Sequence, residues 1–241
     1  TAMLAIACVA RAEVRVDEGS AKHTTWSGYW WPIAKGELLQ GPLQKHDALA
    51  KRQAHQWERQ HNPPGENVPD WYGYCHGWSA AAVLEREPQP QSLNTCRGCY
   101  GVSVADQKGW LAVSHAADLA NTYGDRYGDG IGSEDYQDIR PDKLWQLLRM
   151  FIKDQRLALV MDLDAGPEVW NYPVYAYRVR YQPHARGNGW QAAELSLWAA
   201  DDAVPPDFVG VIPHFQTYTF EFRQRGRSIV ADSAPARPRA C

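Results

Sequence analysis

Cys75 stands in WYGYCHGWSAAAVLEREP, residues 71–88, where aromatics and glycines run directly into an alanine-rich helix. A cysteine at a helix start meets unpaired backbone N–H groups and the positive end of the helix dipole, and both favour a thiolate. The chemistry such a thiolate offers is nucleophilic attack on a carbonyl carbon. Gly73 and Gly77 let the backbone approach closely, leaving room for a substrate carbonyl and for N–H donors aimed at its oxygen. Trp71, Gly77 and Trp78 are the expected substrate-facing residues on this side of the thiol. The competing reading is a buried structural cysteine, a common fate of a free thiol. Two flanking glycines and a wall of rings favour the nucleophile.

A thiol nucleophile needs a base to take its proton and a group to orient that base. Asp162 ends the apolar run LALVMD, and an acid at a strand terminus is well placed to hold an imidazole. It reads equally well as a cap for the Asp164-Ala165-Gly166-Pro167 turn. His115, in KGWLAVSHAAD, lies on a helix that can face the nucleophile and is the expected base, against the alternative of a structural helix histidine. His184 and His214 fall at strand ends. His76 neighbours Cys75, but adjacent helix residues point apart.

The elements that must position these groups change character along the chain. Residues 47–60 have helical composition, the nucleophile helix runs from about Gly77 to Arg86, and EPQPQ stops it. Asp106–Tyr123 places Trp110, Leu111, Val113 and Leu119 at helical spacing, and Pro141–Asp154 forms a third helix with proline in its first turn. Four strand-like runs follow: LALVMDLD, PVYAYRVRYQP, AAELSLWAAD and FQTYTFEFRQ, separated by Gly-, Pro- and Asp-rich turns. Helices first and strands later predict an α+β layout. A single catalytic domain is expected over residues 20–230.

With 241 residues, 44% hydrophobic and 22% charged, the chain has ample material for a core and is not of disordered composition. A net charge of -3 gives no electrostatic case for nucleic acid. No segment has the ~18 unbroken apolar residues of a membrane span. MLAIACVARA ends in Ala-Arg-Ala and reads as the tail of a signal peptide within residues 1–15, which predicts a secreted or periplasmic protein. Residues 231–241 read as a disordered tail. Five cysteines are too few for a disulfide scaffold, and Cys96 and Cys99 form an isolated C-x-x-C that suits a local disulfide or redox pair. Asp125 and Asp129 flank a glycine turn whose oxygens suit Ca²⁺, although the twelfth position from Asp125 is Tyr136 rather than the glutamate of an EF-hand. No cofactor is required by any motif, and Ca²⁺ is the one ion suggested.

Three segments carry a family resemblance. In chain order, WSGYWWP at 26–32 followed by GPLQKHD, the nucleophile run with its closing Glu87-Pro88, and the segment VWNYPVYAYRV at residues 169–179 resemble the transglutaminase elicitor family. The resemblance implies a papain-like fold, in which the nucleophile helix packs on an antiparallel sheet. It implies protein-glutamine γ-glutamyl transfer: a cysteine thioester formed from a protein glutamine and resolved by a lysine or polyamine amine. A peptidase or deamidase effector using the same site, and an inactive peptide- or glycan-binding relative, are the alternatives. Trp170 and Asn171 would bind substrate, and Asn171 after Trp170 could orient the base as the corresponding Asn does in papain-like proteases. The family's calcium dependence points to Asp125 and Asp129. Relatives place a histidine where RPDKLWQLL carries Trp145, and they exchange His and Tyr relative to Tyr74 and His46.

Overall fold

The computed structural model describes residues 13–90, 101–124, 139–164, 168–225, 228–230 and 237–238. Among the described residues, strand β1 (Arg15–Ser20) is followed by a short 3-10 turn (Ile33–Lys35) and five α-helices: α1 (Pro42–Ala50), α2 (Ala54–His61), α3 (Cys75–Leu84), α4 (Val104–Ser114) and α5 (Pro141–Leu148). The last runs on into a π-helical turn, Arg149–Asp154. Strands β2 (Leu159–Asp162), β3 (Asn171–Pro183), β4 (Trp190–Ala200) and β5 (Pro213–Arg225) complete the main sheet, with short β6 (Ser228–Val230) and β7 (Arg237–Pro238).

The sheet is antiparallel, with β3, β4 and β5 joined by sequential hairpins. β2 and β1 share the outer edge of β3, pairing with residues 171–174 and 176–181 respectively. The alternation in β4 explains its register: Ala193, Leu195, Leu197 and Ala199 are buried while Glu194, Ser196 and Trp198 between them are not. They meet Val174, Tyr177 and Val179 of β3, Phe220 and Phe222 of β5, and Trp145, Leu148 and Ile152 from the α5 segment. A second core joins Trp26, Trp31, Leu38 and Leu43 to Trp78, Ala81 and Ala82 of α3 and to Ala112 of α4. Thus α3 lies between a helical core and the sheet, contacting both β2 and β3. The α+β layout, with the nucleophile helix set against an antiparallel sheet, is as the sequence predicts.

Boundaries differ where side chains cap the backbone. The single helix expected over 47–60 is two, broken at Lys51 with a left-handed φ of 55°. The Asp47 carboxylate accepts from the N–H groups of Ala54 and His55, satisfying donors that α2 leaves open. α4 begins at a capping box, Ser103 with Asp106, and ends at His115 rather than Tyr123. The expected leader (1–15) and tail (231–241) lie largely outside the described residues, although Arg15 already belongs to β1. Among the described residues no helix is long and apolar enough to cross a membrane.

Candidate active site

Cys75 is the first residue of α3, and the chain leading into it is tightly fixed. The Tyr74 N–H donates to the Trp30 carbonyl at 2.5 Å, and its hydroxyl donates to Glu58 Oε1 at 2.5 Å while accepting from Asn62. The flanking glycines serve packing rather than substrate space, contrary to expectation. A Cβ at Gly73 would stand 2.4 Å from the Trp30 carbonyl oxygen, and one at Gly77 would stand 2.0 Å from that of Ala112. Gly77 is therefore where α4 crosses α3. At the far end of α3, Glu87 pairs with Lys108 at 2.7 Å and accepts from the Gly210 N–H. Lys108, 2% exposed, also donates to the carbonyls of Ser27 and Phe208, which ties α4 to both loops.

The Cys75 thiol is buried. Its Sγ lies 3.6 Å from the Val169 carbonyl and 3.6 Å from Nδ2 of Asn171. Burial pushes the thiol above its usual range; the Asn171 backbone and side-chain amides pull it down, the Asp202 charge pushes it up, and the His76 N–H pulls it down. The balance is upward, so the thiol is protonated at neutral pH. This corrects the expectation of a thiolate at the helix start: desolvation outweighs the amide donors there.

Asp162 and Asn171 are cross-strand partners in the β2–β3 ladder. The Asp162 carboxylate accepts from the backbone N–H groups of Asp164 and Trp170, at 3.4 and 3.1 Å, so it holds the loop that delivers Val169 and Asn171 to the sulfur. His115 is not brought to the thiol. Its ring nitrogens face Asp118 at 2.5 Å and Glu85 at 3.9 Å, and Glu85 follows the C-terminal end of the helix that Cys75 opens. His76 stacks over Tyr74 at 6.0 Å. Trp145 is a core residue: its indole N–H donates to Asp17 and its ring meets Tyr181 and Phe222. A histidine there would stand among those core groups.

The expected substrate residues divide. Trp78 is fully buried against Trp26, with Gly28 packed on its indole, and Gly77 is a helix crossing, so neither faces a substrate. Trp71 packs edge-on against Tyr72. Trp170, next to the residues that touch the sulfur, makes an edge contact with Trp30 at 6.0 Å and donates its indole N–H to Glu168. Asp125 and Asp129, as well as Cys96 and Cys99, lie outside the described residues. Among the described residues no cluster of three His, Cys, Asp or Glu side chains is arranged to hold a metal.

One group near the thiol escapes the sequence reading. Asp202, just past β4, is 6% exposed, and burial with the charges of Asp201 and Asp164 raises its carboxyl to about 6. Its charge bears on both Cys75 and Tyr172. Tyr172 in turn donates to Asp164 and stacks on His214, whose Nδ1 is 3.8 Å from Asp201. The available signal was the pair Asp201-Asp202 directly after an apolar strand.

The sequence pattern of the family described as Transglutaminase elicitor matches residues 43–194, more than half of the chain. The chain belongs to the transglutaminase elicitor family. No curated protein sequence matches it. Among solved structures, the GP42 transglutaminase from Phytophthora sojae is similar, with a TM-score of 0.70 over 91% of this chain and 79% of that one, at 16% identity. Identity at that level speaks for the fold. The family match includes Cys75, Asp162 and Asn171 and ends before Asp202.

Proposed function

We propose that this member of the transglutaminase elicitor family is a protein-glutamine γ-glutamyltransferase acting through Cys75. The observation that carries the proposal is the convergence on one buried sulfur of the Asn171 side-chain amide and the backbone N–H groups of Asn171 and His76. Cys75 attacks the side-chain carboxamide of a protein glutamine, ammonia leaves, and a lysine or polyamine amine resolves the thioester into a substituted amide. N–H donors beside the sulfur are suited to the oxyanion of each tetrahedral intermediate. The Trp30–Trp170 contact supplies apolar walls that favour an amine over water as the acceptor. Protein glutamines and amines are therefore the expected substrates, and the leader-like apolar N-terminus supports export. Ca²⁺ held by Asp125 and Asp129 belongs to the same proposal, and chelation by EGTA tests it.

The deciding assay is incorporation of a fluorescent primary amine into a glutamine-bearing protein, in reductant and Ca²⁺, by wild type and Cys75→Ala. Label that disappears in the variant establishes transfer. Ammonia release without label assigns the site to hydrolysis, as a deamidase. Absence of both overturns the enzyme reading and leaves a binding protein on an enzyme fold.

A further inference from the structure

A protonated, buried thiol cannot attack a carboxamide until something accepts its proton, and His115 faces elsewhere. Asp202 has the reverse problem. Its Oδ2 is buried without a hydrogen-bond partner, a costly condition for a carboxylate and one that persists chiefly where a site uses it. The segment bearing it is tied to its neighbours by backbone bonds. Asp201 N–H donates to Ile212 at 2.9 Å, the Asp201 carbonyl accepts from Gly28 at 3.1 Å, and Ala203 is bridged to Tyr29. Gly28 rests on the indole of Trp78, one turn along α3 from Cys75. The 28–29 segment thus joins the end of β4 to the first turn of α3. The charges of Asp201 on its own segment and of Asp164 beyond β2 bear on Asp202, and the charge of Asp202 bears on Cys75 of α3 and Tyr172 of β3, with His214 held on the Asp201 side.

We propose that Asp202 is the proton acceptor for Cys75 and the proton donor to the leaving nitrogen. The assignment rests on the acyl-transfer reading of Cys75. As the S–C bond forms, the thiol proton passes to the Asp202 carboxylate and the carbonyl π electrons move to oxygen. When the carbonyl reforms, the C–N bond breaks and the Asp202 carboxyl protonates the nitrogen, releasing ammonia. In the second half, the incoming amine gives its proton to Asp202 as its nitrogen bonds to the thioester carbon. Cys75 leaves as sulfur anion and recovers that proton. Each cycle returns both groups to their starting state and exchanges one amine for ammonia.

The test compares wild type, Asp202→Asn and Asp202→Glu in two measurements: amine incorporation from pH 5 to 9, and iodoacetamide alkylation of Cys75 over pH 6 to 10, followed by mass spectrometry. General acid–base groups contribute roughly 100- to 10,000-fold, so Asp202→Asn should lose at least about 100-fold in transfer while Asp202→Glu retains part of it. Wild-type transfer should fall on the acid side as the carboxylate is protonated. Alkylation should move in the opposite sense. Removing the facing negative charge shifts its midpoint to lower pH and makes Asp202→Asn react faster than wild type at pH 8. A purely structural aspartate would not separate the two readouts. Transfer by Asp202→Asn within threefold of wild type overturns the proposal, and so does an unmoved alkylation midpoint. A moved midpoint in a protein that transfers no glutamine sinks the glutamine reading while supporting the Asp202–Cys75 pairing.

Discussion

The side-chain nitrogen of Asn171 lies 3.6 Å from Sγ of Cys75, on a residue whose ladder partner is Asp162. The contact joins the start of β3 to the start of α3, so sheet and helix form one site at the sulfur. Asp162 holds the approach to β3 through the Trp170 N–H, and Asn171 faces the sulfur.

Removing that amide should weaken the nucleophile more than the fold. Asn171→Ala takes away a donor that favours the sulfur anion, so the alkylation midpoint of Cys75 should move to still higher pH. Amine incorporation should fall roughly 10- to 100-fold, the scale of losing one positioned donor. The thermal midpoint should change little, since one partly buried hydrogen bond is worth about 1 kcal/mol. An alkylation midpoint that stays at the wild-type value would remove Asn171 from the site.

Asp202 should be a liability for stability at neutral pH. Its folded carboxyl, raised to about 6, binds a proton more tightly than the same group in the unfolded chain, near 3.8. Between those values the folded state holds the extra proton, so this group makes stability fall as pH rises through the window. Replacing Asp202 with neutral Asn should therefore stabilise the protein above pH 6, by an amount on the order of 3 kcal/mol. The gain should vanish near pH 4. Denaturant melts of the two proteins at pH 4 and pH 7.5 read the sign directly. A variant less stable than wild type at pH 7.5 contradicts the prediction.

Lys108 works in the opposite direction. It is buried, donates to Glu87 and to two backbone carbonyls, and lies 4.6 Å over the Trp26 ring. Lys108→Met leaves the Glu87 charge without its partner, which should cost about 3–5 kcal/mol in urea unfolding. Adding Glu87→Met should recover part of that loss, because the stranded charge goes with it. A double variant no more stable than Lys108→Met would show that the carbonyl contacts, rather than the ion pair, dominate.

Much of the sheet was legible because period-two burial is local: LSLWAA in β4 alternates as its sequence does. The nucleophile helix and Asn171 were also readable, the first from its alanine run and the second from its place after Trp170. What escaped depends on through-space relations. β1, RVDEGS, buries one residue, Asp17, so it has no apolar signature. The thiol's upward shift comes from burial in a site that the fold closes with Val169 and Asn171, 94 and 96 positions away, which no helix-start rule contains. Trp145 occupies a position matched by motif spacing to a family histidine, yet it belongs to the core beneath the sheet. Asp202 sits in a turn-like AADDAVPP, and only the meeting of β4, residues 28–29 and α3 gives it a role.

The crossing at Gly77 leaves no room for a side chain. The α3 and α4 backbones approach so closely there that the Cβ of an alanine would stand 2.0 Å from the Ala112 carbonyl oxygen, against backbone rather than a yielding side chain. Gly77→Ala must push the helices apart, and overpacking of this kind costs about 1–3 kcal/mol. Alanine is also the better helix former, by about 1 kcal/mol, so a net loss requires the clash to win. The displacement begins two residues from Cys75, so transfer should fall by more than the folded fraction does. Gly65→Ala, whose Cβ meets nothing within 4 Å, is the control and should leave both unchanged. His115→Ala separates position from chemistry on the same helix pair. With its ring turned to Asp118 and Glu85, its loss should leave transfer within twofold of wild type, measured per folded molecule. A hundredfold loss in His115→Ala with an unchanged melt would return the imidazole to the mechanism and displace Asp202 from it.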